Sequence, residues 1–173
     1  SVTFVQRSDE NTKRDFPFDY ELKIKYTING DTVTNEYIVT NTGEDKLPFV
    51  IGGHPAFNCP LAKGEKFEDY KVVFDKNITK PCLRPDHHTG LVNVFEKFDE
   101  MHGGDTLSLV HELFEEKDAL IFENCEAKSA TLIGKSGKGV KIEFQDMNNL
   151  LIWSAVGNAP FVALEPWTGL ASC

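Results

Sequence analysis

The most reactive candidate in the sequence is a histidine between a glycine and a proline. His54 lies in the segment 52–60, GGHPAFNCP. Proline stiffens the backbone on one side of the imidazole, and glycine allows close approach on the other. An imidazole ordinarily titrates near pH ~6.5, which suits a proton donor at neutral pH. We interpret His54 as a candidate general acid, and the pattern alone also fits a structural histidine.

A carboxylate stands at the predicted end of the last apolar strand. Glu165 follows the run 161–164 and precedes Pro166 and Trp167. Partial removal from water would raise the pKa of this carboxyl group and make it a stronger base. The pattern fits a general base and a strand-end glutamate turned to water equally well. Trp167 and Trp153 fit either a core or a carbohydrate site, because the C–H faces of sugars stack on aromatic rings.

Asp118 and the other potential ligands carry weaker signals. Asp118 opens the apolar segment 119–122 after an acidic run, so it is either a site carboxylate or a strand-edge charge. The spacing of a zinc site is absent among Cys82, His87, His88, His102 and His111. We therefore expect no metal ion. The chain also has no Walker loop and no G-x-G-x-x-G motif, and we expect no cofactor.

Short strands are predicted to position these groups. Apolar and polar residues alternate over 18–28, and Asn29-Gly30-Asp31 supplies a turn before the pattern resumes at 33–39. No segment keeps a 3.6-residue apolar period over three turns, and 111–118 holds one helical turn at most. The sequence predicts an all-β fold, an antiparallel β-sandwich or barrel. Further predicted strands are 70–74, 119–122, 130–133, 140–144, 150–153 and 161–164.

Length and charge favour one globular domain that binds no nucleic acid. A chain of 173 residues, 40% of them hydrophobic, predicts a single domain over residues 1–173. Its 27 acidic and 18 basic residues give a net charge of −9, which would repel a phosphate backbone.

Hydropathy and cysteine spacing predict the compartment. No apolar run approaches the ~18 residues that cross a bilayer, so we expect no membrane partner. The irregular spacing of Cys59, Cys82, Cys125 and Cys173 predicts reduced thiols and a cytoplasmic location. The first residue is Ser1 rather than Met, and the last residue, Cys173, comes only a few positions after the turn at Gly169. We therefore expect a fragment of a longer protein.

Two motifs together resemble those of the aldose 1-epimerase, or galactose mutarotase, family. They are the segments 52–60, GGHPAFNCP, and 161–169, FVALEPWTG, in this order and separated by short strands. The hairpin at 26–41 and the segment 114–122 also match the order of the family. More narrowly, the sequence is similar to the bacterial branch associated with lactose and galactose utilisation.

The resemblance implies a fold and a site. The fold is the galactose mutarotase-like β-sandwich, whose cleft binds a hexose or hexose phosphate. His54 is implied to protonate the ring oxygen, and Glu165 to remove the proton of the anomeric hydroxyl. Asp118 falls where the family has a substrate-binding aspartate, and Asn58 and Trp167 are further substrate-binding candidates.

The resemblance also implies groups that this chain does not match. The family has a second histidine and a substrate-binding arginine upstream of the first motif, and Arg7 and Arg14 do not fit those positions. We therefore expect a C-terminal fragment, incomplete at both ends.

Three functions remain open from the sequence. Aldose 1-epimerase chemistry needs one proton removed at O1 and one delivered to the ring oxygen, which a carboxylate and an imidazole can supply. The second function is a non-catalytic carbohydrate-binding sandwich that uses Trp153 and Trp167. A glycoside hydrolase would need Asp118 and Glu165 as its carboxylate pair and would leave His54 without a role. A homodimer is also left open.

Overall fold

The computed structural model describes residues 1–170, which form strands and loops with very little helix. All pairings between these strands are antiparallel, so the predicted all-β antiparallel class is confirmed. The strands are β1 (Val2–Arg7), β2 (Tyr20–Asn29), β3 (Thr32–Asn41), β4 (Ala56–Asn58), β5 (Tyr70–Phe74), β6 (Thr106–Ser108), β7 (Leu120–Phe122), β8 (Ser129–Gly134), β9 (Gly139–Glu143), β10 (Asn149–Trp153) and β11 (Phe161–Trp167). The helices are α1 (Glu112–Glu115) and the 3₁₀ turns Thr12–Arg14 and Phe67–Asp69.

Most predicted strands lie within one residue of their observed bounds, because period-two patterns mark a pleated backbone directly. Strand β5 matches its prediction, and α1 is the single helical turn expected at 111–118. Strand β11 was predicted to end at 164 and is an exception, since it continues through Trp167. Glu165 therefore lies inside a strand rather than at its end.

Residues Ser1–Phe49 form one compact unit. Its three strands pair in the order β1–β2–β3, and Gly30, at φ 60°, makes the tight turn of the β2–β3 hairpin. One face of this sheet is apolar and includes Phe4 and Ile28, which are 60% and 74% exposed. No residue of this unit is buried.

The second unit begins at Val50 and contains a β-sandwich. Its two four-stranded sheets have the orders β4–β11–β10–β7 and β6–β5–β8–β9. A shared core fills the space between them. The first sheet contributes Leu120, Phe122, Leu150, Ile152, Val162 and Leu164, and the second contributes Tyr70, Val72, Phe74, Leu107, Ala130 and Leu132. A single domain over residues 1–173 stays a prediction.

Three cysteines are buried and free, namely Cys59, Cys82 and Cys125. Burial raises the pKa of Cys59 and of Cys82 to about 12, so these thiols are poor nucleophiles. Cys173 lies outside the described residues. No helix within residues 1–170 has the length and apolar character needed to cross a membrane.

Candidate active site

The two sequence motifs lie side by side and antiparallel. Strand β4 pairs with β11 so that Ala56 faces Ala163, and the bridge between Gly52 and Trp167 continues the same register. Backbone hydrogen bonds from Gly53 N to Pro166 O and from Leu164 N to Pro55 O flank the intervening pair. His54 and Glu165 are therefore directly opposite each other.

This position brings the imidazole and the carboxylate together. A cross-strand pair without backbone hydrogen bonds of its own is the type in which side chains come closest. Nδ1 of His54 lies 3.4 Å from Oε1 of Glu165. The imidazole is 57% exposed and the carboxylate side chain 4% exposed, so the pair joins a buried carboxylate to an accessible imidazole.

Burial sets the acidity of Glu165. Its neighbours Leu164 and Ala163 are fully buried, and removal from water raises the pKa of the Glu165 carboxyl to about 7. The nearby indole N–H of Trp167 lowers the pKa of Glu165, whereas the negative charge of Asp118 raises it further. A carboxyl group with such a pKa exchanges protons readily at neutral pH.

The continuation of β11 past Glu165 depends on the indole of Trp167. Pro166 has no N–H to give to Gly53 O, the carbonyl opposite it in the pairing. Trp167 Nε1 donates to this carbonyl at 3.1 Å and replaces the missing donor. A Cβ at Gly52 would lie 2.6 Å from Cγ of Trp167, so only glycine lets the indole reach this position.

Asp118 reaches the site through Trp153. Asp118 Oδ1 accepts a hydrogen bond of 2.6 Å from the indole Nε1 of Trp153, which lies at the end of β10. The Trp153 ring packs edge-on against the His54 imidazole, with centroids 5.6 Å apart and an interplanar angle of 82°. The structure thus places Asp118, Trp153, His54 and Glu165 in one cluster.

A groove of about 230 Å³ opens beside His54 and Trp167. It is lined by Val50, Ile51, Gly52, Gly53, His54, Trp167, Gly169 and Leu170. Glu165 is not among the residues that line this groove, and its carboxylate lies 3.4 Å from the imidazole Nδ1. A ligand in the groove would meet the imidazole first.

Asn58 is not part of the cluster. It is exposed and lies opposite Phe161, four residues along β11 from Glu165, which is ~13 Å at the rise of a strand. Its predicted contact with substrate stays a prediction. Among residues 1–170, no group of three or more histidine, cysteine, aspartate or glutamate side chains is arranged to hold a metal ion.

Comparison with known proteins decides the family. The sequence model of the family described as aldose 1-epimerase matches residues 1–169. The chain belongs to the aldose 1-epimerase family. The predicted membership of this family is therefore confirmed.

Relatives in this family are longer than the chain. Protein LacX of Lactococcus lactis subsp. lactis, in its plasmid and chromosomal forms, is 38% identical over 176 residues. The match covers 99% of this chain and 58% of each relative, so the chain spans just over half of their length.

Solved structures of similar proteins have the same fold. A galactose mutarotase-like protein from Lactobacillus casei ATCC 334 is 31% identical, with a TM-score of 0.83 over 98% of this chain and 58% of that one. A galactose mutarotase related enzyme from Lactobacillus acidophilus is 25% identical, with a TM-score of 0.85 over 98% and 56%. The predicted galactose mutarotase-like fold is confirmed.

Sequence analysis gave no definite role to two residues at or near this candidate site. Trp153 was left open between core and carbohydrate site, and its position beside His54 and Asp118 follows only from the pairing of β10 with β11. Arg84 received no interpretation, although an arginine within the apolar stretch 82–85 is an unusual place for a charge. It is buried and is discussed below.

Proposed function

We propose that the protein carrying this chain is an aldose 1-epimerase, which interconverts the α and β anomers of a hexose. The observation that carries the proposal is the juxtaposition of a buried glutamate, Glu165, with the accessible imidazole of His54 at 3.4 Å. Membership of the aldose 1-epimerase family supports the same reaction.

Ring opening uses one proton transfer at each end of the acetal. The Glu165 carboxylate removes the proton from the anomeric hydroxyl O1, while protonated His54 gives a proton to the ring oxygen. The bond between C1 and the ring oxygen breaks, and its electrons remain on that oxygen. C1 becomes the aldehyde carbon of the open-chain sugar.

Ring closure reverses both transfers after rotation about the C1–C2 bond. His54 takes back the proton of the ring hydroxyl as its oxygen attacks the other face of C1, and Glu165 returns a proton to O1. Neither group is consumed, and no electrons leave the sugar. Because Nδ1 of His54 is the nitrogen near Glu165, the proposal assigns the transfer at the ring oxygen to Nε2.

The substrate class follows from the surroundings of the pair. The Trp153 indole beside His54 and the Phe161 ring, 5.4 Å from that indole, offer aromatic surface on which a pyranose can stack. Galactose is the first sugar to assay, since two similar structures are described as galactose mutarotase-like or related. A phosphorylated hexose remains an alternative substrate. The buried, free cysteines support a cytoplasmic location.

Polarimetry tests the proposal directly. Freshly dissolved α-galactose, α-glucose and their 6-phosphates are followed with the full-length protein, and at least one should equilibrate faster than in buffer. His54→Gln should lower this rate by at least ~10²-fold. His88→Gln is the matched control, because His88 is exposed and lies outside the cluster. A chelator should leave the rate unchanged.

A non-catalytic carbohydrate-binding protein is the second candidate, because Trp153 and Trp167 both lie beside His54. Such a protein would bind sugar, measured by calorimetry, without accelerating mutarotation of any substrate. That pair of results would replace the epimerase with the binding protein.

A further inference from the structure

Arg84 is a buried cation that contacts the backbone of Asp118, a residue of the candidate site. Its side chain is 6% exposed, and its charge is paired with Glu100 through a 3.0 Å contact from Nη1 to Oε1. Leu83, the preceding residue, is bridged to Ile121 of β7. The guanidinium is therefore anchored beside the sheet that carries Glu165.

The other end of the guanidinium binds backbone rather than side chains. Nη2 donates to the carbonyl oxygen of Leu113 and, at 3.2 Å each, to those of Lys117 and Asp118. These carbonyls belong to α1 and the loop that follows it. A helix of four residues leaves its carbonyls without intrahelical partners and is not stable on its own. Arg84 supplies a donor to three carbonyls of this segment, and His87 Nε2 contacts a fourth, that of Phe114, at 3.1 Å.

Asp118 is the residue of this segment that reaches the site. Its backbone carbonyl is held by Arg84, and its carboxylate Oδ1 accepts the indole N–H of Trp153. Oδ2 of Asp118 has no hydrogen-bond partner among the described residues. Trp153 in turn packs edge-on against His54. Arg84 is thus linked to the imidazole through two intermediate residues.

We propose that Arg84 is a positioning residue, which clamps the segment from Leu113 to Asp118 so that the Asp118 carboxylate meets both Trp153 and a sugar hydroxyl. The part that concerns sugar rests on the proposed function. The part that concerns Trp153 does not, and it has a spectroscopic readout of its own.

Arg84→Lys in the full-length protein is the central variant. Lysine keeps the charge, but its single ammonium cannot reach Glu100 and three carbonyls together. The KM for the sugar should rise about 10-fold through loss of a well-placed charge-assisted hydrogen bond, while kcat changes less than about 3-fold. The indole N–H resonance of Trp153, recorded by ¹⁵N NMR, should move toward its position in Asp118→Ala, which removes the acceptor.

Two controls separate positioning from loss of stability. The Trp167 indole donates to Gly53 rather than to Asp118, so its resonance should stay in place in Arg84→Lys. Val72→Ala removes core volume in β5, in the other sheet of the sandwich. It should lower stability without moving the Trp153 resonance or the KM.

Each outcome bears on one of the two proposals. Lower stability of Arg84→Lys with an unmoved Trp153 resonance and an unchanged KM would mean that Arg84 is only structural. A moved resonance in a protein that never accelerates mutarotation would support the clamp and reject the epimerase. If Arg84→Lys does not fold, Glu100→Gln weakens the same anchor more gently. It should displace the Trp153 resonance in the same direction, and an unmoved resonance there would overturn the clamp.

Discussion

The two faces of the sheet β4–β11–β10–β7 are built from the same strands, but one packs in the sandwich core and the other carries the candidate site. On β11, Val162 and Leu164 face the sandwich core and are 0% exposed. Glu165, on the opposite face, is 3% exposed and is thus almost as well buried. Burial alone does not distinguish the faces, but their chemistry does.

The site face is itself divided along the strands. Leu83, Val92, Ile121 and Leu151 form a small apolar cluster that covers one part of it. Glu165, His54, Trp153 and Asp118 lie together on the remainder. The core face contributes free energy of folding, whereas the site face holds a carboxylate out of water at the expense of stability. Substitutions on the two faces should therefore have opposite signatures.

The largest effect is expected for Glu165→Gln, on the site face. Glutamine keeps the shape of the side chain and removes the proton acceptor, so turnover in mutarotation should fall by ~10² to 10⁴-fold. Sugar affinity, measured by calorimetry, should change much less. Near-normal turnover in this variant would remove Glu165 from the mechanism.

Leu164→Ala, one residue away on the core face, should give the reverse. It deletes a fully buried side chain, so the free energy of unfolding in urea should fall by about 2–5 kcal/mol. Turnover per folded molecule should remain within about 3-fold of the parent, because the register that pairs His54 with Glu165 is kept. A loss of turnover as deep as that of Glu165→Gln would show that the two faces are not independent.

The cost of the buried carboxylate should appear in the pH dependence of stability. The pKa of Glu165 is raised from an ordinary 4.5 to about 7 in the folded protein. Between these pH values the folded state keeps a proton that the unfolded state has released. The stability that this retained proton contributes to the folded state is therefore complete below pH ~4.5 and is lost as pH rises through about 7.

Urea unfolding at pH 5 and pH 8 measures this cost. Relative to Glu165→Gln, the parent protein should lose roughly 2–3 kcal/mol of stability between the two pH values. Comparing the two proteins cancels the contributions of the other titrating groups. Parallel pH profiles for the parent and the variant would show that Glu165 titrates normally.

The smallest effect concerns the hydrogen bond that replaces the missing donor of Pro166. Trp167→Phe leaves the Gly53 carbonyl without its indole partner and should cost about 1–2 kcal/mol in urea unfolding, beyond any loss of packing. In the Pro166→Ala background, a backbone N–H becomes available to the same carbonyl, so Trp167→Phe should cost less there. Equal costs in both backgrounds would contradict this account of the strand.

Local pattern was sufficient for most of the strands. Alternation over 18–28 predicted β2, and the apolar segments at 70–74 and 150–153 predicted β5 and β10, because these patterns reflect the local pleat. The end of β11 was predicted too early, since Pro166 marks a strand end unless a distant group completes the pairing. The Trp167 indole and Gly53 do so.

The sequence by itself determined the all-β class and singled out His54 and Glu165, since both depend on residue types and short-range spacing. Only the tertiary structure decided that these two side chains face each other, that Trp153 joins Asp118 to the imidazole, and that Arg84 is buried against the backbone of Asp118. The physical reason is the distance along the chain over which each feature is decided. A period of two specifies which residues of a strand share a face, but partner and register depend on how remote segments pack together.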